Sequence, residues 1–402
     1  MAWPTLSIAI DFANGPLTAL ASNTWTDITS YVISFTTRRG RADALGRMEA
    51  GSATLVLDNS DRSFAPLYAG SAYYPNIVPM KKIRIRATYS AVVYDLFIGH
   101  VTNWPPDWPG GLDATTTIQC VDAFTFFASV KLNGAYAAEF CNWSIDTWLT
   151  NIGWPAADRT LASASSQIQA GTFVNTQALT HFQNVADVES GLFFMGADGK
   201  ATFQNRYYRQ TNSLTSDATF DDDPAAALPW LKAASAYDDT QIWNEARVTR
   251  TGGTEQVATN ATSQAAYFTR TLTRSLPMQS DTEALSLAQY LVGLYASPIF
   301  RYTSLILDGN MADALWPHML GRAISDRITV QQRPPPQLPV PFLITADCYI
   351  ESIAHEVTAT EDGTYWQTTF GLSSADALAG SSFWVLDSTT LSILDSTTKL
   401  GY

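Results

Sequence analysis

Between Gly51 and Leu57 the chain alternates, with Ala53, Leu55 and Leu57 on one side of an extended backbone and Ser52, Thr54 and Val56 on the other. Such a period of two specifies a strand with two unlike faces. Asp58-Asn59-Ser60-Asp61-Arg62 stops it, because Asn and Asp side chains bond their own backbone in turns and tolerate left-handed geometry. The preceding stretch, residues 40–51, carries charges and glycines between two β-rich segments, as a long exposed hairpin or loop would. Read blandly it is a solvated loop; read functionally, Arg38, Arg39 and Arg41 are candidate partner contacts.

The same alternation recurs through residues 1–134, in LSIAIDF, WTDITSYVISF, KKIRIRATY, VYDLFIGHVTNW and ATTTIQCVDAF, separated by Gly, Pro, Asn and Asp. Closely spaced antiparallel strands of this kind close into a barrel or sandwich. The run Trp104-Pro105-Pro106-Asp107-Trp108 is a stiff loop tip, so Trp104 and Trp108 are either contact points or simple loop packing. From about 135 the pattern changes. A short helix is expected from Ser144, as cap, to Gly153, and a second from about Thr176 to Glu189 with Asn175 as cap and Gly191 as stop. A hairpin follows, turning at Ala197-Asp198-Gly199. The clearest helix spans Asp281–Tyr295, broadly apolar and ended by Pro298. Strands resume to about residue 376, interrupted by the stiff connector Arg333–Pro341. The end of the chain repeats Leu386-Asp387-Ser388-Thr389-Thr390-Leu391 as Leu394-Asp395-Ser396-Thr397-Thr398, which reads either as strands added to a neighbour through Leu386, Leu391 and Leu394 or as a disordered end.

With 402 residues, roughly two to four domains are expected. The net charge of −13 is unevenly spread: residues 1–134 hold 10 Lys/Arg and 10 Asp/Glu, leaving 14 against 27 for residues 135–402. A chain this acidic is ill suited to gripping nucleic acid, but its surface repels phosphate, as a pore for sliding DNA would. Cys120, Cys141 and Cys348 are too few and too dispersed for a disulfide framework or zinc site. The start lacks a signal-peptide pattern, and no apolar run approaches about 18 residues, so assembly in a cytoplasm without membrane insertion is expected. His100, His181, His318 and His355 stand in no metal-ligand spacing, and His355 and Glu356 are expected on opposite faces of a strand. No nucleophile elbow, phosphate loop or dinucleotide fingerprint is present. Asp221-Asp222-Asp223 lacks the alternation of a calcium loop and reads as a solvated turn. No catalytic, cofactor or metal residue is therefore nominated.

In their order, the opening strand, the basic-glycine loop, the GSATLVLDNSDRSFAP strand and turn, and the strands KKIRIRAT, DLFIGHVTNW and TTTIQCVDAF resemble the N-terminal domain of minor tail proteins of long-tailed bacteriophages, the tail-tip or baseplate hub family. The helix followed by GLFFMGADGKATFQNR resembles that family's small α+β domain. The resemblance implies a mainly β fold with α+β insertions: a first tail-tube-like β-barrel at 1–134, a small α+β domain at 135–210, a second barrel at 211–376 with the inserted helix 281–295, and an extended C-terminal tail at 377–402. It further implies a non-enzymatic virion protein at the tail tip, a homotrimer that adapts a six-fold tail to a three-fold tip and opens for DNA ejection. Its partners would be the distal tail ring, the tape-measure protein and tip or fibre proteins, with DNA passing through the lumen and the acidic surplus partly lining it. Two alternatives remain open: a carbohydrate-binding tail-tip adhesin, to which exposed tryptophans would contribute, and a hexameric distal-tail ring subunit.

Overall fold

A computed structural model describes residues 2–107, 114–335, 342–360 and 363–375. The expected tryptophan contact Trp108, most of the proline connector and the C-terminal repeat with Leu386, Leu391 and Leu394 lie outside the described residues.

The alternating segments become strands: β1 (Thr5–Asp11), β2 (Val32–Gly40), β3 (Glu49–Asp58), β4 (Lys82–Tyr89), β5 (Val92–Val101) and β6 (Thr115–Val121). From the second half come β7 (Lys232–Ala236), β8 (Arg301–Asp308), β9 (Arg327–Gln332), β10 (Ile344–Thr360) and β11 (Gly363–Ser374). These belong to one 14-stranded sheet whose main path runs β7-β8-β11-β10-β2-β3-β6-β5-β4-β1 and ends on Thr26–Asp27. Every pairing along that path is antiparallel. The path is open, and among the described residues no barrel is closed by it. Its centre is a seam between β2 and β10, where Arg38 faces Ala354, Thr36 faces Glu356 and Ser34 faces Thr358. The beginning and the end of the described chain therefore share one ladder.

Alternation decides what each face meets. Trp366, Val357, Phe35, Leu55 and Ile118 stand opposite one another in register across five strands, and all are buried. They join a core that includes Ile8, Ile83 and Trp316, where burying each large side chain contributes about 1.5–3 kcal/mol. A second core gathers Phe127, Trp148, Phe182, Phe193 and Leu291. It lies among α1 (Cys141–Asn151), α2 (Ala178–Glu189), α3 (Asp281–Tyr295) and two three-stranded sheets. The expected hairpin is present as Leu192–Met195 paired with Ala201–Gln204. No helix among the described residues is long and apolar enough to cross a membrane.

The third helix matches its expected span, and Ser280 caps it by accepting the Glu283 N–H at 3.2 Å. Two other boundaries need correction. α1 starts at Cys141, not at a Ser144 cap, because Ser144 is buried inside the helix with its hydroxyl 3.0 Å from His181 Nε2. α2 is preceded by Gln177 rather than capped by Asn175, and its left-handed stop is Ser190 (φ 53°), one residue before the expected glycine. Gly191 is needed for another reason: a Cβ there would stand 2.2 Å from the Gln204 carbonyl oxygen.

Candidate functional site

The face of the sheet opposite the first core is laid out in rows by the strand register. Ile306, Thr369, Ala354, Arg38, Ser52 and Val121 stand side by side across β8, β11, β10, β2, β3 and β6. The next row is Asp308, Gln367, Glu356, Thr36, Thr54 and Gln119, and a third is Tyr365, Thr358, Ser34, Val56 and Thr117. Strand geometry puts every member of a row on the same side. The rows are dominated by hydroxyl and amide groups, and Arg38, Asp308 and Glu356 are their only charges. The acidic surplus of residues 135–402 thus enters these rows only as Asp308 and Glu356. A depression of about 220 Å³ opens in the middle, between Thr36, Arg38, Ser52, Glu356, Gln367 and Thr369.

The fold built from these elements has counterparts. No protein-family model matches the chain, and no curated protein matches it. Among solved structures, the tail protein from Neisseria meningitidis MC58 aligns with a TM-score of 0.60 at 11% identity, covering 94% of this chain and 98% of that one. The 43 kDa tail protein of prophage MuSo2 from Shewanella oneidensis aligns with a TM-score of 0.56 at 11% identity, over 92% and 99% of the two chains. The E. coli c3393 protein, described as a type VI secretion system component structurally similar to T4 bacteriophage tail proteins gp27 and gp5, aligns at 0.50 and 11% identity over 86% and 73%. The fold is that of phage and prophage tail proteins. These neighbours are described as tail or secretion-system components, none of them as an enzyme.

The basic stretch at 38–41 divides three ways. Arg38 lies on the polar face, half exposed, 3.5 Å from Glu49. Arg39 points back into the molecule, where burial pulls its guanidinium down to about 10 against the opposing pull of Asp326 and Asp198. Arg41 is not the exposed partner contact expected of it: it is buried, its Nε donating to Glu351 at 2.7 Å and its Nη1 to the Gly46 carbonyl at 3.1 Å. Of the two readings of Trp104 the structure fits packing, the ring being only 6% exposed, stacked on Phe64 and donating its indole N–H to the Val78 carbonyl at 2.9 Å. Its ring belongs to the first core.

Glu351 is the residue the sequence reading missed. It is fully buried, takes two hydrogen bonds from Arg209 at 2.7 and 2.9 Å, one from Arg41 and one from the Ser373 hydroxyl at 2.6 Å. Burial alone would raise its pKa, but Arg209 and Arg41 outweigh that and hold it well below the carboxylate range. The register of β10 against β11 shifts between Ile350 and Ser352, and Glu351 at this bulge lies with Tyr349 on the Arg209 side while Ile350 keeps to the first core. The trace in the sequence is a displaced apolar period, since Cys348 and Ile350 of the first core are followed by Ile353 rather than by residue 352. Gly40 stands across from it with φ +114°, and a Cβ there would lie 2.2 Å from the Glu351 carbonyl oxygen.

The remaining chemistry is structural. His355 is buried, with Nδ1 3.0 Å from Thr368 Oγ1, while Glu356 is exposed on the other face, as the strand reading expected. Asp221 and Asp222 form a doubly hydrogen-bonded clasp on Arg333, rather than a purely solvated turn. Among the described residues no group of His, Cys, Asp or Glu is arranged to hold a metal ion, and all three cysteines are free and buried.

Proposed function

We propose that this chain is a tail-tip hub: a structural, non-enzymatic subunit whose polar sheet face forms part of the wall of a DNA channel. The observation that carries the reading is the continuous three-row face, contributed jointly by the first and last portions of the described chain. A wall for passing DNA must bind phosphate weakly, because each fixed cation that pairs with a phosphate adds salt-dependent affinity. Serine, threonine and glutamine side chains satisfy this by holding water, and Arg38, the one cation of these rows, is compensated by Glu49. Sliding would then rest on hydroxyl-bound water more than on acidic repulsion.

In this reading the strands on either side of the β2–β10 seam are the two tail-tube-like units, each completed by neighbouring copies in a homotrimer, so that three chains present six similar wall segments to a six-fold ring. Distal-tail ring, tape-measure and tip or fibre proteins are the partners, and the site of action is the virion tail tip after assembly in the host cytoplasm. The buried position of Trp104 removes one of the residues on which the adhesin alternative leaned.

Native mass spectrometry of the full chain tests the assembly. A trimer is the expected result; a hexamer points to the distal-ring alternative, and a monomer at every concentration overturns the reading. In phage, the double substitution Thr36→Lys with Thr54→Lys is expected to leave particles assembled but slow DNA release, because it adds paired cations to the central row. Unchanged release kinetics in assembled mutant particles would remove this face from the channel.

A further inference from the structure

A groove of about 520 Å³ runs beside β4 and β5, between the residue 20–25 loop and the hairpin turn at residues 198–200. Alternation in β4 sends Ile83 and Ile85 into the first core and leaves Arg84 and Arg86 on the groove side. The loop is anchored at one end, where the Leu20 N–H donates to Asp158 at 3.0 Å. At its other end stands Trp25, an indole that belongs to neither core, is half-buried and meets no other ring among the described residues. The Arg84 guanidinium lies over it, 4.5 Å from the ring centroid, and pairs with no carboxylate among the described residues. Arg84 thus covers one face of the indole and leaves the other to a ligand in the groove. The rim is of mixed sign: Arg86 bonds Asp95, and Lys200 stands 3.6 Å from Asp198. The Lys200 and Asp198 side chains are 39% and 44% exposed, so both keep N–H groups and lone pairs open to the groove.

We infer that this groove is a binding site for a neutral pyranose sugar, stacked on the open face of Trp25 with its hydroxyls toward the charged rim. A pyranose presents a C–H face that packs on an aromatic ring, and around its edge hydroxyls that each donate and accept. The groove offers the matching set: one indole face, then cations and carboxylates side by side. A small anion there would meet Asp95 and Asp198, and a small cation would meet Arg86 and Lys200, whereas a hydroxyl bonds either sign. The volume falls within the roughly 300–1,000 Å³ of small-molecule sites, which gives room for a sugar ring. Trp25 supplies the platform that Trp104, held in the first core, does not. The inference does not rest on the hub reading, because neither trimer formation nor the polar face enters it.

Saturation-transfer difference NMR of the full chain provides the test, with methyl glucoside, methyl galactoside and N-acetylglucosamine as probes. Sorbitol is the control, having hydroxyls but no ring. Saturable transfer to at least one ring sugar, beyond that to sorbitol, is expected, with weak affinity because a single ring on an open surface buries few atoms. Trp25→Ala should weaken that binding by about tenfold or more. Trp143→Ala removes an exposed indole that packs on Phe140 outside the groove, and should leave binding unchanged. Should Trp25→Ala fail to fold, the indole N–H resonances of nitrogen-15-labelled tryptophan in the unmodified protein serve as a second readout, one of which must shift as the bound sugar is added. Transfer to all three sugars no greater than to sorbitol, equal binding by Trp25→Ala, or indole resonances that stay fixed overturns the inference.

Discussion

Glu351 illustrates how a single side chain can join parts of the chain 310 residues apart, since its contact with Arg41 ties β10 to the end of β2. Breaking a buried ion pair leaves an uncompensated charge, so Glu351→Gln should cost about 3–5 kcal/mol in urea unfolding, whereas loss of the exposed Arg38–Glu49 pair should cost less than about 1 kcal/mol. Because its folded pKa lies below the ordinary 4.5, the stabilisation from Glu351 is complete above that pH and is lost as pH falls further. The buried histidines act in a higher window. Burial pushes His100 down to about 4, and His181 and His355 to about 3, so the folded chain resists protonation while the unfolded chain takes protons below 6.5. Stability is therefore expected to fall on acidification from about pH 7.5 to pH 5.5, by up to about 1.4 kcal/mol per histidine per unit below 6.5. Asp122, pushed up to about 7 by burial, opposes them over part of the range, one group against three. A urea midpoint that stays level across that interval contradicts the assignment. The histidines could be named in advance but their burial could not, because their environments depend on partners distant in the chain.

Elements were legible where one local signal dominated. Asp281–Tyr295 carries its own cap, and Ser280→Ala should lower stability by about 1 kcal/mol, read from thermal melting, with little change in far-ultraviolet circular dichroism. The strand 51–57 was equally plain, since alternation names the buried face directly. The starts of α1 and α2 were misplaced because Ser144 and Asn175 have the chemistry of caps but are used otherwise, one as a partner of His181 and the other in a strand bulge at φ 51°. Alternation also cannot name the neighbouring strand: nothing local says that β2 meets β10. Gly40 marks that meeting point. Gly40→Ala introduces both an unfavourable backbone conformation and a collision with Glu351, so it is expected to destabilise by more than about 2 kcal/mol and to reduce soluble yield. A melting temperature equal to that of the parent would show that the seam tolerates spreading.

At the scale of the whole molecule, the mainly β character and the kinship in fold with tail proteins were readable from the order of segments, while the single open sheet was not. The expectation of two barrels rested on resemblance, and what pairing forms is one path that runs from β7 to Thr26–Asp27. An open path leaves strand edges that further copies could occupy, which is why the mass of the assembly is the most informative measurement on the intact protein. The seam carries a further consequence, for synthesis. Val32–Gly40 emerges from the ribosome well before the strand that covers its flank, Ile344–Thr360. Until then the nascent chain holds out an uncovered hydrogen-bonding margin, a known route to misassembly and slow folding. Products halted before residue 344 should accumulate as aggregates, so a folded copy of the sheet exists only once synthesis has passed its far side.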